Sequence, residues 1–79
     1  MSSRTVGACS ALPRHLAVLL RDDAASVRRR AAALAWSGGV EAVEAVVAVL
    51  REEPAADADR AHAELVAHAP EGREAPALR

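Results

Sequence analysis

The chain has 79 residues, which allows one domain at most and sits where a single core contributes only about 3–5 kcal/mol. Apolar residues make up 52% of it, dominated by Ala and Val, with no Phe, Tyr or Ile and with Trp36 as the only aromatic, a composition suited to closely packed helices. Ten arginines against eleven acids leave a net charge of −1, so no global field draws the chain to nucleic acid or an anionic membrane, and the single cysteine, Cys9, excludes an intrachain disulfide and a thiolate metal cluster.

Residues 1–9 read as a disordered segment. Val6-Gly7-Ala8-Cys9 resembles a lipoprotein cleavage box, yet an export signal needs an apolar stretch of about 7–15 residues ahead of the cut, and the residues before Cys9 are mostly polar. No run approaches the roughly 18 uninterrupted apolar residues of a membrane span. With one cysteine and no export signal, a reducing, cytoplasmic setting is expected.

The helical domain is expected over residues 10–69. Ser10 can cap a first helix with Pro13 in its first turn, and Leu12, Leu16, Leu19 and Leu20 then share one face. A second helix is predicted from about Ala24 to Trp36, with Val27, Ala31 and Leu34 as its inner stripe and Ser37-Gly38-Gly39 as its stop. The third runs from Val40 to about Glu53 and places Val40, Val43, Val47 and Leu50 on one face, opposite Glu41, Ala45 and Glu52. Pro54 introduces a fourth helix that carries Ala58, Ala61 and Leu65 inward and stops before Pro70. Residues 70–79, with two prolines, a glycine and scattered charge, read as a disordered tail.

Two stretches repeat at an interval of thirty residues. Leu19-Leu20-Arg21-Asp22-Asp23-Ala24-Ala25 returns as Val49-Leu50-Arg51-Glu52-Glu53-Pro54-Ala55, and Arg30-Ala31 returns as Arg60-Ala61 in the same register. A period in this range is the mark of helical-hairpin arrays, so the fold class is all-α, built as two consecutive antiparallel helical hairpins of a short α-solenoid.

Leu19-Leu20, Asp22, Val27-Arg28, Ala31-Ala32, Gly38-Gly39 and Glu41-Ala42-Val43, in that order, resemble the bacterial HEAT-like repeat family, including the short repeats of phycobilisome lyases. The resemblance covers about residues 12–69. It implies a turn aspartate, Asp22, and a second-helix arginine, Arg28, that bind each other across the turn; independently, Asp22 is placed to cap the second helix with Arg28 one turn further on. The second unit departs from the pattern, with Asp57-Ala58 where the first has Val27-Arg28, as a worn terminal repeat does.

In curved hairpin arrays the second helices line the concave binding face, which makes Arg29, Ala32, Ala33 and Trp36 the expected protein-binding surface. The alternative for Trp36 is that it folds beneath the helix end onto the third helix as core. Arg28-Arg29-Arg30 is too short a basic stripe, with too few aromatics near it, for nucleic acid to be the first expectation. His15, His62 and His68 lack the spacing of a metal-ligand set, and no cofactor motif is present. Cys9 falls in the N-terminal segment, and Ser10 and Ser26 are each explained as a helix cap, so no catalytic residue is expected.

The expected function is a non-catalytic protein-interaction module, a short scaffold or the terminal piece of a longer array, with a protein partner or self-association. Resemblance to the lyases adds a second possibility, an accessory subunit in chromophore or cofactor attachment, and a third is a small nucleic-acid binder. Two hairpins with small-residue cores are marginal where arrays usually need three. The isolated chain should therefore melt at low temperature, self-associate, or be stabilised by a partner. A concentration-independent cooperative melt of the monomer above about 65 °C contradicts this.

Overall fold

The computed structural model describes residues 12–53 and 55–78. Four helices carry most of them: α1 over 12–20, α2 Ala25–Ser37, α3 Gly39–Glu52 and α4 Ala56–Ala67, with no strand among the described residues. They form two consecutive hairpins, α1 with α2 and α3 with α4; α2 packs on both α3 and α4, α3 packs on α4, and α1 joins the common core through Leu16, Ala17 and Leu20. The chain is all-α.

The hairpin turns are made from local chemistry. Helix α1 tightens as it ends, with the Arg21 and Asp22 N–H groups donating to the Val18 and Leu19 carbonyls, each at 3.1 Å. Asp22 Oδ1 then accepts the Ala24 N–H at 2.8 Å, an aspartate turn that sets up α2. Asp22 therefore shapes the turn, and no side chain caps the first N–H groups of α2. Ser26 lies inside α2, beyond its cap residue Ala24, and Ser10 lies outside the described residues.

Between α2 and α3 only glycine serves at two adjacent positions. A Cβ at Gly38 would stand 2.8 Å from Ala42 Cβ, and Gly39 takes φ 87°, a left-handed conformation that side chains disfavour. The reversal is thus tight enough to start α3 at once.

Burial repeats with the thirty-residue interval. Leu16 and Val46, Ala17 and Val47, Leu20 and Leu50, Ala31 and Ala61, and Ala35 and Leu65 are all buried pairs separated by that interval, so both hairpins turn the same positions inward. The α4 stripe of Ala58, Ala61 and Leu65 is buried as the spacing predicts. In α3, Val46 and Val49 join Val43, Val47 and Leu50, while Val40 is only half-buried.

Helix α2 is rotated from its expected orientation. Ala31, Ala32 and Ala35 are buried, Val27 is half-buried and Leu34 is 53% exposed. Because α2 touches two helices at once, its smallest residues take the inside, where close approach is needed, and its larger apolar residues are left on the flank. Leu12 is likewise exposed, while Leu16 and Leu20 carry the core contact of α1.

Residues 70–78 do not form a disordered tail. Ala75 and Leu78 pack against the core, His62 Nε2 is 2.7 Å from the Pro76 carbonyl, and Arg51 donates to the Leu78 carbonyl at 3.1 Å and to the Ala77 carbonyl. Two apolar anchors and three polar ties outweigh the turn-forming composition that suggested disorder. The segment runs as an extended strap over the second hairpin.

Leu50, fully buried, is among the largest side chains in the core. Leu50→Ala should cost about 2–5 kcal/mol, a large part of the stability available to so small a domain. Urea unfolding followed by circular dichroism measures it, and a loss below about 1 kcal/mol would show that the second hairpin lacks a packed core.

Candidate functional site

The polar chemistry of the chain gathers at the hairpin turns. Arg28, from the first turn of α2, donates through Nη1 to the carbonyls of Asp22 and Asp23 at 2.9 and 2.8 Å. The expected Asp22–Arg28 pair is therefore made with the backbone of Asp22 and not its carboxylate, which the Ala24 N–H has already engaged. Arg28 Nε instead lies 3.7 Å from Glu64 Oε1 on α4, an ion pair too long to be a hydrogen bond, with both side chains more than four-fifths buried.

Arg21 does for the second turn what Arg28 does for the first. Its guanidinium donates to the Glu53 carboxylate at 3.0 Å and the Glu53 carbonyl at 2.7 Å, and its Nε lies 3.6 Å from Asp57 Oδ1. Arg60 reaches back from α4 to the Arg21 carbonyl at 2.8 Å and lies 3.6 Å from Asp23. Carbonyls at the ends of helices have no intrahelical donor and carry partial negative charge, so cations are the natural partners there. Arg21 and Arg60 thus join the two hairpins, each binding the turn of the other, while Arg28 braces its own turn.

These cross-hairpin roles of Arg21 and Arg60 went unassigned from sequence. The signal was present, since Arg21 and Arg51, and Arg30 and Arg60, occupy equivalent places in the repeat.

Trp36 stands at the opposite end of α2. It is half-buried against the core, and its Nε1–H donates to the Leu65 carbonyl at 2.8 Å. Leu65 lies in the last turn of α4, where the Ala69 N–H goes to the Val66 carbonyl, so the indole supplies a donor to an exposed helix end. Trp36 is therefore engaged within the fold, packed on the core and hydrogen-bonded to α4.

The expected binding surface does not form as one patch. Ala32 is completely buried and Trp36 is turned onto α4, while Arg29 and Ala33 are exposed. The reason is the rotation of α2: the side carrying Arg28, Ala32 and Trp36 meets the second hairpin.

What α2 leaves open is its other flank. Val27, Arg30 and Leu34 hold on α2 the positions that Asp57, Arg60 and Glu64 hold on α4, thirty residues on. On α4 those three side chains meet the first hairpin through Arg21 and Arg28. On α2, Arg30 and Leu34 are exposed and Val27 half-buried, with a small concavity between Ser26, Val27 and Arg30. Neither Arg29 nor Arg30 makes an ion pair among the described residues.

A second concavity, an open groove of about 500 Å³, runs between α1 and α3, lined by Leu12, Pro13, Leu16, Ala42 and Val46 with Glu41. It is apolar and lacks the convergent polar groups that orient a small substrate. His62 faces the strap and His68 Nε2 lies 3.1 Å from Glu64, while His15 is exposed. The described residues include no group of three or more His, Cys, Asp or Glu placed to hold a metal ion. Cys9 and Ser10 lie outside them. No helix among them is long and apolar enough to cross a membrane.

No family model, curated protein or solved structure matches the chain.

The position of Trp36 has a direct optical consequence. As the only tryptophan, it should emit at a blue-shifted wavelength in the folded chain and move to the red on unfolding. Trp36→Phe, which removes the indole donor, should cost about 0.5–1.5 kcal/mol in urea unfolding. Emission already at the solvent-exposed wavelength in the native chain would show that Trp36 is free of α4.

Proposed function

We propose that the chain is a non-catalytic protein-interaction module, a short HEAT-like repeat scaffold or the terminal piece of a longer array, which binds a protein partner through the outer flank of α2. The observation that carries this reading is the correspondence just described. The α4 positions in contact with a neighbouring hairpin are Asp57, Arg60 and Glu64; of their α2 counterparts, Arg30 and Leu34 are exposed and Val27 is half-buried beside them.

The change in side chains is also informative. Two of the three positions pass from acidic on α4 to apolar on α2, which removes charges that need partners and leaves surface that gains by being covered. Arg30 between them adds a side chain that interfaces favour. Arg29 and Ala33 border this surface, so part of the surface expected from sequence is retained in a rotated position.

The family name rests on the ordered residues from Leu19 to Val43, and a bacterial origin and cytoplasmic location come with that resemblance and the single cysteine. The thirty-residue repetition of burial supports a hairpin array.

Leu34→Asp and Arg30→Glu alter exposed side chains and should leave helicity unchanged by circular dichroism. Each should abolish retention of a protein partner when the purified chain is used as bait in lysate of its own cells. Retention undiminished in both variants would contradict the assignment. Binding instead to oligonucleotides, with a steep fall as salt rises, would replace it with a nucleic-acid role.

A further inference from the structure

We infer that residues 73–78 are a displaceable cap, seated where a further hairpin would stack, and that the face beneath them accepts the first hairpin of a second copy of this chain. The inference rests on the reading of the α2 flank as a docking face and adds its counterpart at the other end of the molecule.

The register locates the capped face. Within one chain, the first hairpin meets the second through Arg21, Arg28, Ala32 and Trp36, whose equivalents on the second hairpin are Arg51, Ala58, His62 and Val66. Arg21 donates to a backbone carbonyl of the next unit, at Glu53. Arg51 does the same with the next stretch of chain it meets, at Leu78 and Ala77. Ala32 is fully covered by the second hairpin, and His62 is met by the Pro76 carbonyl. The strap thus satisfies the groups that a third hairpin would satisfy.

It covers that face incompletely. Val66, the counterpart of Trp36, remains 50% exposed, and only Ala75 and Leu78 of the strap pack against the core. A hairpin seated in its place would cover the whole length.

The occupant follows from complementarity with the open flank of α2. Stacked in the register of the intrachain contact, Arg51 would meet Asp23 of a second copy, as Arg21 meets Glu53. Glu53 would meet Arg30 of that copy, as Asp23 meets Arg60. Where the intrachain contact pairs Arg28 with Glu64, both counterparts are apolar, Ala58 against Leu34 of the second copy. The two positions have changed from charged to apolar together. Against these stand three exchanges: Glu44 falls opposite Asp22 where Arg14 pairs with Glu52, at an exposed site, Val27 of the second copy stands opposite Arg51 where Asp57 pairs with Arg21, and Val66 offers no donor where the Trp36 indole binds the Leu65 carbonyl.

Such a contact is head-to-tail and does not close on itself, so without a cap it propagates into an open chain of copies. Terminal caps are what keep hairpin arrays soluble.

The test is made on the full chain. Ala75→Asp with Leu78→Asp should release the strap, keep the helical circular dichroism signal, and raise the self-association constant at least about tenfold in sedimentation velocity, with species that grow without a plateau as concentration rises. Adding Leu34→Asp should return the chain to a monomer. The milder Leu78→Ser serves as a second release variant and should show a smaller rise. A helical release variant that stays monomeric, association untouched by Leu34→Asp, or loss of helical structure in both release variants each overturns the cap. If Leu34→Asp abolishes partner retention in the unaltered chain while the release variants remain monomers, the interaction module stands and the cap falls.

Discussion

The stack depends on α2 touching two helices at once, and alanine is what permits it. Ala31, Ala32 and Ala35 are buried to within about 1% of completeness, and a helix lined with larger side chains could not lie against α3 and α4 together. Alanine itself buries little area, so the apolar driving force comes from the helices that close around it, through Leu16 and Leu20 on α1, Val43, Val46, Val47 and Leu50 on α3, and Leu65 on α4. The absence of large aromatics from all but one position follows from the same geometry. Trp36 is accommodated because it sits at the end of α2, where the indole can lie over the last turn of α4 and find a carbonyl.

Close packing of small residues leaves the relative placement of two hairpins weakly specified, and the arginines supply what packing does not. Arg21 and Arg60 direct their guanidinium groups at turn carbonyls of the other hairpin, partners fixed in place by the backbone, while Arg28 holds the carbonyls of its own turn and reaches across to Glu64. A side-chain pair such as Arg14–Glu52, with both partners more than half exposed, contributes about 0–1 kcal/mol. A planar donor aimed at two carbonyls, as in Arg28, fixes geometry as well as energy. Arg51 extends the same device to the strap, which links the architecture of the turns to the question of what occupies the end of the stack.

Much of this was legible in the sequence. The helices α2, α3 and α4 begin and end within about two residues of where Ser37-Gly38-Gly39, Pro54 and Pro70 place them, because glycine and proline act through local backbone limits that tertiary contacts rarely override. The register of Ala58, Ala61 and Leu65 was legible because those residues recur at helical spacing, with Val66 the one other large apolar residue of α4 and left exposed. The orientation of α2 was not. Apolar periodicity favours Leu34 and Val27 for the interior, whereas a helix pressed between two others buries its smallest residues, and that requirement appears only once the neighbours are in place. The same rotation of α2 buries Ala32 and turns Trp36 onto α4, which divides the surface expected opposite Val27 and Leu34. The strap was illegible because its ties are backbone carbonyls at Pro76, Ala77 and Leu78, which carry no mark in residue type.

The two hairpins are equivalent units that hold each other, with α2 as the element both share. Native-state hydrogen exchange, followed amide by amide with increasing denaturant, tests it most directly. If α2 is held by α3 and α4 as well as by its own hairpin partner, the slowest amides of α2, α3 and α4 should converge on one opening free energy and lose protection together. Exchange of α2 through a separate, lower-energy opening, while α3 and α4 remain protected, would show that the first hairpin is merely appended to the second and would contradict the account.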